Sequence, residues 1–142
     1  MKSSVLLIAF ALVSNLAFAQ KKQKIEVPTE VKKAFATRFP DAKVEEWQKE
    51  GDYYEAEFEL NKIEHSVLID AKGDILEVEE EIKVKQLPIA ISAYVAKNYP
   101  KQKIKEAAKI TNAAGSVSYE AEIKSKDLLF DSSGNFLKED KL

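Results

Sequence analysis

The pentapeptides YEAEF at residues 54–58 and YEAEI at residues 119–123 spell nearly the same strand twice, 65 positions apart. Upstream, VPTEVKKAFATRFPDAKVEEW (27–47) matches LPIAISAYVAKNYPKQKIKEA (87–107) at an offset of 60, so that Pro28 falls on Pro88 and Pro40 on Pro100. Val31, Phe35 and Phe39 then fall on Ile91, Val95 and Tyr99. That i, i+4, i+8 spacing is one apolar stripe of an amphipathic helix. In each copy the first proline suits the opening turn, where a missing N–H costs nothing, and the second disfavours helical geometry in the residue before it. A helix ending at Phe39 and another ending at Tyr99 are therefore expected.

Downstream the offset settles at 61, where Asp70-Ala-Lys-Gly73 matches Asp131-Ser-Ser-Gly134. The second copy carries five extra residues near Thr111–Gly115 and lacks four between its YEAE strand and its Asp-x-x-Gly turn. An even deletion shared by two hairpin arms leaves every remaining side chain on its original face. A two-residue loop at Asn61-Lys62 sets Leu60 opposite Ile63, Phe58 opposite His65, Ala56 opposite Val67 and Tyr54 opposite Ile69. A two-residue loop at Lys124-Ser125 sets Ala121 opposite Leu128 and Tyr119 opposite Phe130. Tyr and Ala of YEAE then face a helix, and the glutamates face away. The Asp-x-x-Gly segments read as tight turns, with Asp opening the turn and Gly free to take positive φ.

The expected fold is α+β: two tandem repeats, each one helix followed by a four-stranded antiparallel meander. Strands are expected near 42–49, 53–60, 63–70 and 74–82, then 103–111, 117–123, 126–131 and 135–140. The chain divides into a signal peptide (1–19), an N-terminal linker (20–26), repeat 1 (27–82) and repeat 2 (83–142). Repeats this short leave much of their surface wet, so the two copies are expected to pack together.

The opening MKSSVLLIAFALVSNLAFAQ has Lys2, an apolar run from Val5 to Leu12 and a small-x-small pattern at Ala17-Phe18-Ala19. It reads as a secretory signal cleaved after Ala19, too short and interrupted for a membrane span. The mature chain is expected in the periplasm with no stable membrane anchor. Removing the leader takes away Lys2, leaving 21 basic against 24 acidic residues and a net charge of −3. Lysine and glutamate are interspersed, unlike the concentrated basic surface of a nucleic-acid binder. The absence of cysteine excludes disulfide staples, thiol catalysis and cysteine-ligated zinc.

The succession of Pro, aromatic-Pro, YEAE and Asp-x-x-Gly, twice over after a signal peptide, resembles the PepSY-like family of small exported bacterial proteins, whose fold is similar to that of the β-lactamase inhibitory protein. The resemblance covers residues 27–140. It implies a protein that grips an enzyme through an exposed sheet surface, or one that restrains a protease. The inhibitory protein also carries disulfides, which this chain lacks.

The chemistry-bearing residues are sparse. His65 is the single histidine, with no second histidine, serine elbow or HExxH segment, and reads as a sheet residue. Asp70–Asp74 and Asp131–Asn135 resemble the opening of a calcium loop. In such loops, however, oxygen ligands stand at positions 1, 3 and 5 and glycine at 6, whereas Lys72 holds the third position in one copy and glycine the fourth in both. Glu55, Glu57 and Glu59 form one acidic row, and Glu77, Glu79 and Glu81 a second, both read as solvated faces; a carboxylate pair for glycoside hydrolysis would need a pocket that separates their pKa values. No catalytic residue, no metal ligand and no cofactor is assigned, and an enzyme is not expected.

One pattern breaks the one-sided sheet. With Ile69 and Ile75 inward, and Phe130 with Phe136, the residues Leu68, Leu76, Leu129 and Leu137 fall on the opposite face, where polar residues are expected. Either the other copy covers them, with Trp47 or Tyr53 joining, or they form an apolar patch for a partner. These six residues are the candidate partner-binding set, and the candidate partner is a cell-envelope protein or peptide. The alternative function is a carrier of a small apolar ligand or envelope lipid. A bulge that shifts the register of the fourth strand would weaken both options for the leucines.

Overall fold

A computed structural model describes residues 25–142; the expected signal peptide and the start of the linker lie outside them. Helix α1 (Thr29–Arg38) leads into strands β1 (Lys43–Glu50), β2 (Tyr53–Leu60), β3 (Ile63–Asp70) and β4 (Ile75–Ile82). A 3₁₀ turn at Val84–Gln86 leads into α2 (Ile89–Asn98), then β5 (Glu106–Asn112), β6 (Val117–Ile123), β7 (Lys126–Asp131) and β8 (Phe136–Lys141). All eight strands form one antiparallel sheet in sequence order, so the fold is α+β.

Each helix stops where its second proline demands. Phe39 leaves helical geometry at φ −128°, its N–H closing the last turn on Phe35 O at 2.8 Å, and Tyr99 does the same on Val95 O. Asn61 and Lys62 both take positive φ, the geometry whose twist matches a two-residue hairpin. The β2–β3 pairs are those expected, from Leu60 with Ile63 to Tyr54 with Ile69, and so are Ala121 with Leu128 and Tyr119 with Phe130.

The Asp-x-x-Gly turns dock the helices onto the sheet. Asp70 Oδ1 accepts the N–H groups of Lys72 and Asp74, and Asp131 Oδ1 those of Ser133 and Asn135, so each aspartate is spent on its own turn. Those bonds hold the Asp131 carboxyl below its usual pKa, with the Asn135 side chain the main cause. Gly134, at φ +86°, lies so close to α2 that a Cβ would stand 2.8 Å from the Cβ of Ala90.

Two apolar cores lie on the helix side. Val31 and Phe35 of α1, with Phe39 just past its end, pack on Ala56, Phe58, Val67 and Ile69, with Phe35 edge-on to Phe58 at 5.0 Å. Ile91 and Val95 of α2 pack on Ala107, Ala121, Leu128 and Phe130, while Tyr94 stacks on Phe136 at 4.9 Å. The alanines of YEAE and its counterpart are fully buried under the helices, which lets each helix approach closely. The first four strands join the last four edge to edge, through β4–β5 backbone pairing from Glu77 with Asn112 to Ile82 with Ala107.

Candidate functional site: the sheet face away from the helices

Strand parity sends alternate residues to the face that carries no helix. Glu55, Glu57 and Glu59 of β2 point there, because Tyr54, Ala56 and Phe58 belong to the helix-side core. Bulges then redirect three other strands. In β4, Leu68 pairs with Glu77 but Ile69 pairs with Ile75, leaving Leu76 as an extra residue. In β8, Leu129 pairs with Lys138 and Phe130 with Phe136, leaving Leu137 over in the same way. A third bulge separates Val44 from Glu46 in β1. One inserted residue inverts everything beyond it.

The expected leucine quartet is therefore split. Leu68 and Leu129 do lie on this face, 5% and 2% exposed. Leu76 occupies a bulge, its carbonyl accepting the Ala113 N–H, and Leu137 occupies the other bulge, 46% exposed. Trp47, paired with Ala56, sits on the helix side edge-on to Phe35, so it does not join the leucines. Tyr53 sits between Glu50 and Asp70 near the strand end, half-buried. Ile110 and Ala108 of β5, which the sequence reading missed, complete the apolar part of the face, both nearly inaccessible. The adjacent pair Ala107-Ala108 was the available signal, since a strand apolar on consecutive positions is buried on both sides.

The β4 bulge has a second consequence: it moves Glu77, Glu79 and Glu81 onto the same face as Glu55, Glu57 and Glu59. The register adds Glu46, Glu64, Glu106, Glu120, Glu122, Asp127 and Asp140. Against these thirteen carboxylates, joined towards the strand ends by Glu50, Asp70 and Asp131, the strand positions of this face offer two lysines, Lys43 and Lys138. Lys105, just before β5, reaches within 4.0 Å of Glu122, and Lys138 within 2.8 Å of Asp140.

The expectation of a solvated acidic row is corrected at its centre. Glu55 is 0% exposed and Glu120 3%, and Glu122 and Asp127 are also buried. Both carboxylate oxygens of Glu55 and one of Glu120 are buried without a hydrogen bond. Burial followed by the charges of Glu57 and Glu79 pushes the Glu55 pKa up to about 9, a rise that nearby Ser66 only moderates. Burial and neighbouring carboxylates likewise raise Glu79 to about 8, Glu120 to about 10 and Asp127 to about 7. At neutral pH the centre of the face therefore holds protons that free glutamates would have released. Glu57 is anchored differently, accepting a 2.7 Å hydrogen bond from the Gln48 side-chain amide.

On the helix side, a cleft of about 680 Å³ opens beyond the end of α1, with Arg38, Asp41, His65 and Glu80 beside Phe39 and Leu60. His65 stacks on Phe58 at 5.3 Å with Nδ1 2.9 Å from Ile63 O.

A model of a family described as "putative beta-lactamase-inhibitor-like, PepSY-like" matches residues 19–77 and 52–138. The chain belongs to this PepSY-like family. No curated protein is significantly similar to it. Solved structures with the same fold include a protein of Bacteroides eggerthii described as "putative periplasmic", 15% identical with a TM-score of 0.72, covering 82% of this chain and 89% of that one. A DUF2874 family protein of Bacteroides uniformis is 17% identical at a TM-score of 0.70, covering 80% and 88%. A BLIP-like protein of Bacteroides fragilis is 22% identical at 0.65, covering 83% and 88%. Among the described residues of this PepSY-like chain, no helix is long and apolar enough to cross a membrane.

Proposed function

We propose that this PepSY-like protein is a non-catalytic binding or inhibitory module, exported to the periplasm, that contacts a partner protein through the sheet face away from its helices. The observation that carries this reading is Glu55, wholly buried on that face with neither carboxylate oxygen hydrogen-bonded. An unsatisfied buried carboxyl costs stability, on the order of 1–3 kcal/mol, and a face that served only as the back of a scaffold would be cheaper with solvated side chains. The family description, beta-lactamase-inhibitor-like, is consistent with such a role. In this reading the two helix-plus-meander segments are tandem copies, and their edge-to-edge junction makes one continuous contact surface.

The carrier alternative would use the cleft beyond α1. Its mixture of Arg38, Asp41, His65 and Glu80 with apolar walls does not favour a purely apolar ligand.

The test is capture from cell-envelope extract with residues 20–142 as bait, compared with Glu57→Lys/Glu77→Lys on the sheet face and Glu30→Lys on α1. A specific protein lost from the first variant and kept by the second is expected. Retention by the sheet-face variant together with loss from the helix variant would refute this assignment.

A further inference from the structure

The two helix-plus-meander segments differ at one shared position of the fold. Phe39 and Tyr99 end the two helices in the same way. Register makes His65 the counterpart of Lys126 and Val78 that of Glu139: His65 pairs with Phe58 as Lys126 does with Ile123, and Val78 with Val67 as Glu139 does with Leu128. In the second segment these residues close on one another. The Tyr99 hydroxyl and Lys126 Nζ each donate to Glu139 at 2.5 Å, and Nζ stands 5.6 Å from the centre of the Tyr99 ring. Phe39, His65 and Val78 lack that chemistry, and all three line the cleft of about 680 Å³ beyond α1. Its far wall is Thr111, Asn112 and Ala113, the start of the turn that is five residues longer in the second segment. The 2.8 Å bond from Ala113 N–H to Leu76 O ties that wall to the β4 bulge.

The cleft has a charged end and an apolar end. Arg38, Asp41, His65 and Glu80 gather at the charged end, because His65 pairs with Glu80 and stacks on Phe58, against which Phe39 also packs. From there Val78 and Ile75 carry the floor along β4 for about 15 Å towards Ala113. Arg38 and Asp41 are exposed and His65 and Glu80 half-buried, so a solute reaches all four. Among the described residues no salt bridge joins Arg38, Asp41 or Glu80 to another side chain. His65 Nδ1 lies 2.9 Å from Ile63 O, and a carbonyl only accepts, so Nδ1 carries a proton and Nε2 of the neutral ring is an acceptor.

We propose that this cleft binds a small zwitterion with an apolar body, either an apolar α-amino acid or a single-chain lipid whose head joins an ammonium to an anion. The ammonium sits among Asp41, Glu80 and His65 Nε2, the anionic group on Arg38, and the body along Val78 and Ile75. A fatty acid would leave the two carboxylates without a counter-charge, and a simple amine would leave Arg38 without one. The volume lies within the range of small-molecule sites, roughly 300–1,000 Å³. The site is separate from the sheet-face contact and stands or falls without it.

Calorimetric titration of residues 20–142 with 2-aminooctanoate, octanoate and octylamine, which share one chain length, tests the head chemistry. The zwitterion is expected to bind at least about tenfold tighter than either singly charged probe. Leucine and a lysophosphatidylethanolamine below its micelle concentration then separate the two sources: full affinity with leucine assigns a free amino acid, and affinity gained only with the longer chain assigns a lipid. Arg38→Gln and Glu80→Gln are each expected to weaken binding of 2-aminooctanoate by about tenfold. The triple variant Phe39→Tyr/His65→Lys/Val78→Glu copies the closing residues of the second segment and is expected to abolish binding. Should it misfold, Arg38→Gln decides, since that side chain is exposed. No measurable binding of 2-aminooctanoate, equal affinity for the three probes, or affinity unchanged in both single variants would overturn the proposal. Amide NMR shifts clustered on residues 38–41, 75–80 and 111–113 support it, and shifts on α2 or on the sheet face away from the helices overturn it.

Discussion

Glu55 pairs directly with Leu68 across β2 and β3, and the carboxyl is even less exposed than the leucine, 0% against 5%. The folded chain holds the Glu55 proton up to a pH of about 9, whereas the unfolded chain releases it near 4.5. Between those values the folded state binds more protons, so stability falls as pH rises. Glu79, Glu120 and Asp127 act in the same direction. Thermal melts are expected to give a higher Tm at pH 5 than at pH 8. Glu55→Gln, which keeps the shape and cannot ionise, should stabilise the protein at pH 8, where ionisation of the wild-type glutamate favours the unfolded chain, by up to about 5 kcal/mol, and leave it nearly unchanged below pH 4.5. A Tm that rises steadily from pH 5 to pH 8 would contradict the buried-proton account.

The β8 bulge makes a paired prediction from chemically identical residues. Leu129 is 2% exposed and Leu137 46%. Leu129→Ala should cost about 2–5 kcal/mol in chemical denaturation, and Leu137→Ala less than about 0.5 kcal/mol. Comparable losses at the two sites would mean that β8 runs without its bulge.

Gly115 and Gly134 share a positive φ but differ in surroundings. Nothing lies within 4 Å of a Cβ built on Gly115, whereas one on Gly134 would meet the Cβ of Ala90 at 2.8 Å. Gly115→Ala should therefore cost only the backbone strain, about 1 kcal/mol. Gly134→Ala adds overpacking against α2 and should cost about 2–4 kcal/mol, read from urea midpoints at constant m-value.

At the β2–β3 hairpin, Lys62 takes a φ of 64°, a conformation disfavoured for side chains with a Cβ. Lys62→Gly should stabilise the protein by about 0.5–1 kcal/mol, since the turn needs that backbone geometry and the side chain is exposed. A destabilised variant would show that the lysine side chain makes a contact worth more than the strain.

Helices, turns and hairpin registers were legible in the sequence because each is fixed by neighbours along the chain. The stripe through Val31, Phe35 and Phe39, the prolines at 28 and 40, and the loop at Asn61-Lys62 needed no distant partner to be read. The candidate site was legible only in part. Leu68 and Leu129 lie on the face expected of them, while Leu76, Leu137 and Trp47 do not join them there. The β4 bulge reconciles two competing parities: Ile75 and Val78 are an odd number of residues apart, so an unbroken strand would turn only one of them to the helix side, whereas both pack against that core.

What the chain alone determined is the parity of each strand and the length of each element, properties set by backbone sterics and the period of apolar residues. The tertiary structure decided where that parity slips and which carboxylates lose their water. Desolvation depends on side chains delivered by strands far apart in sequence, so Glu55 becomes a proton-holding residue only once β3 and β4 are in place beside it.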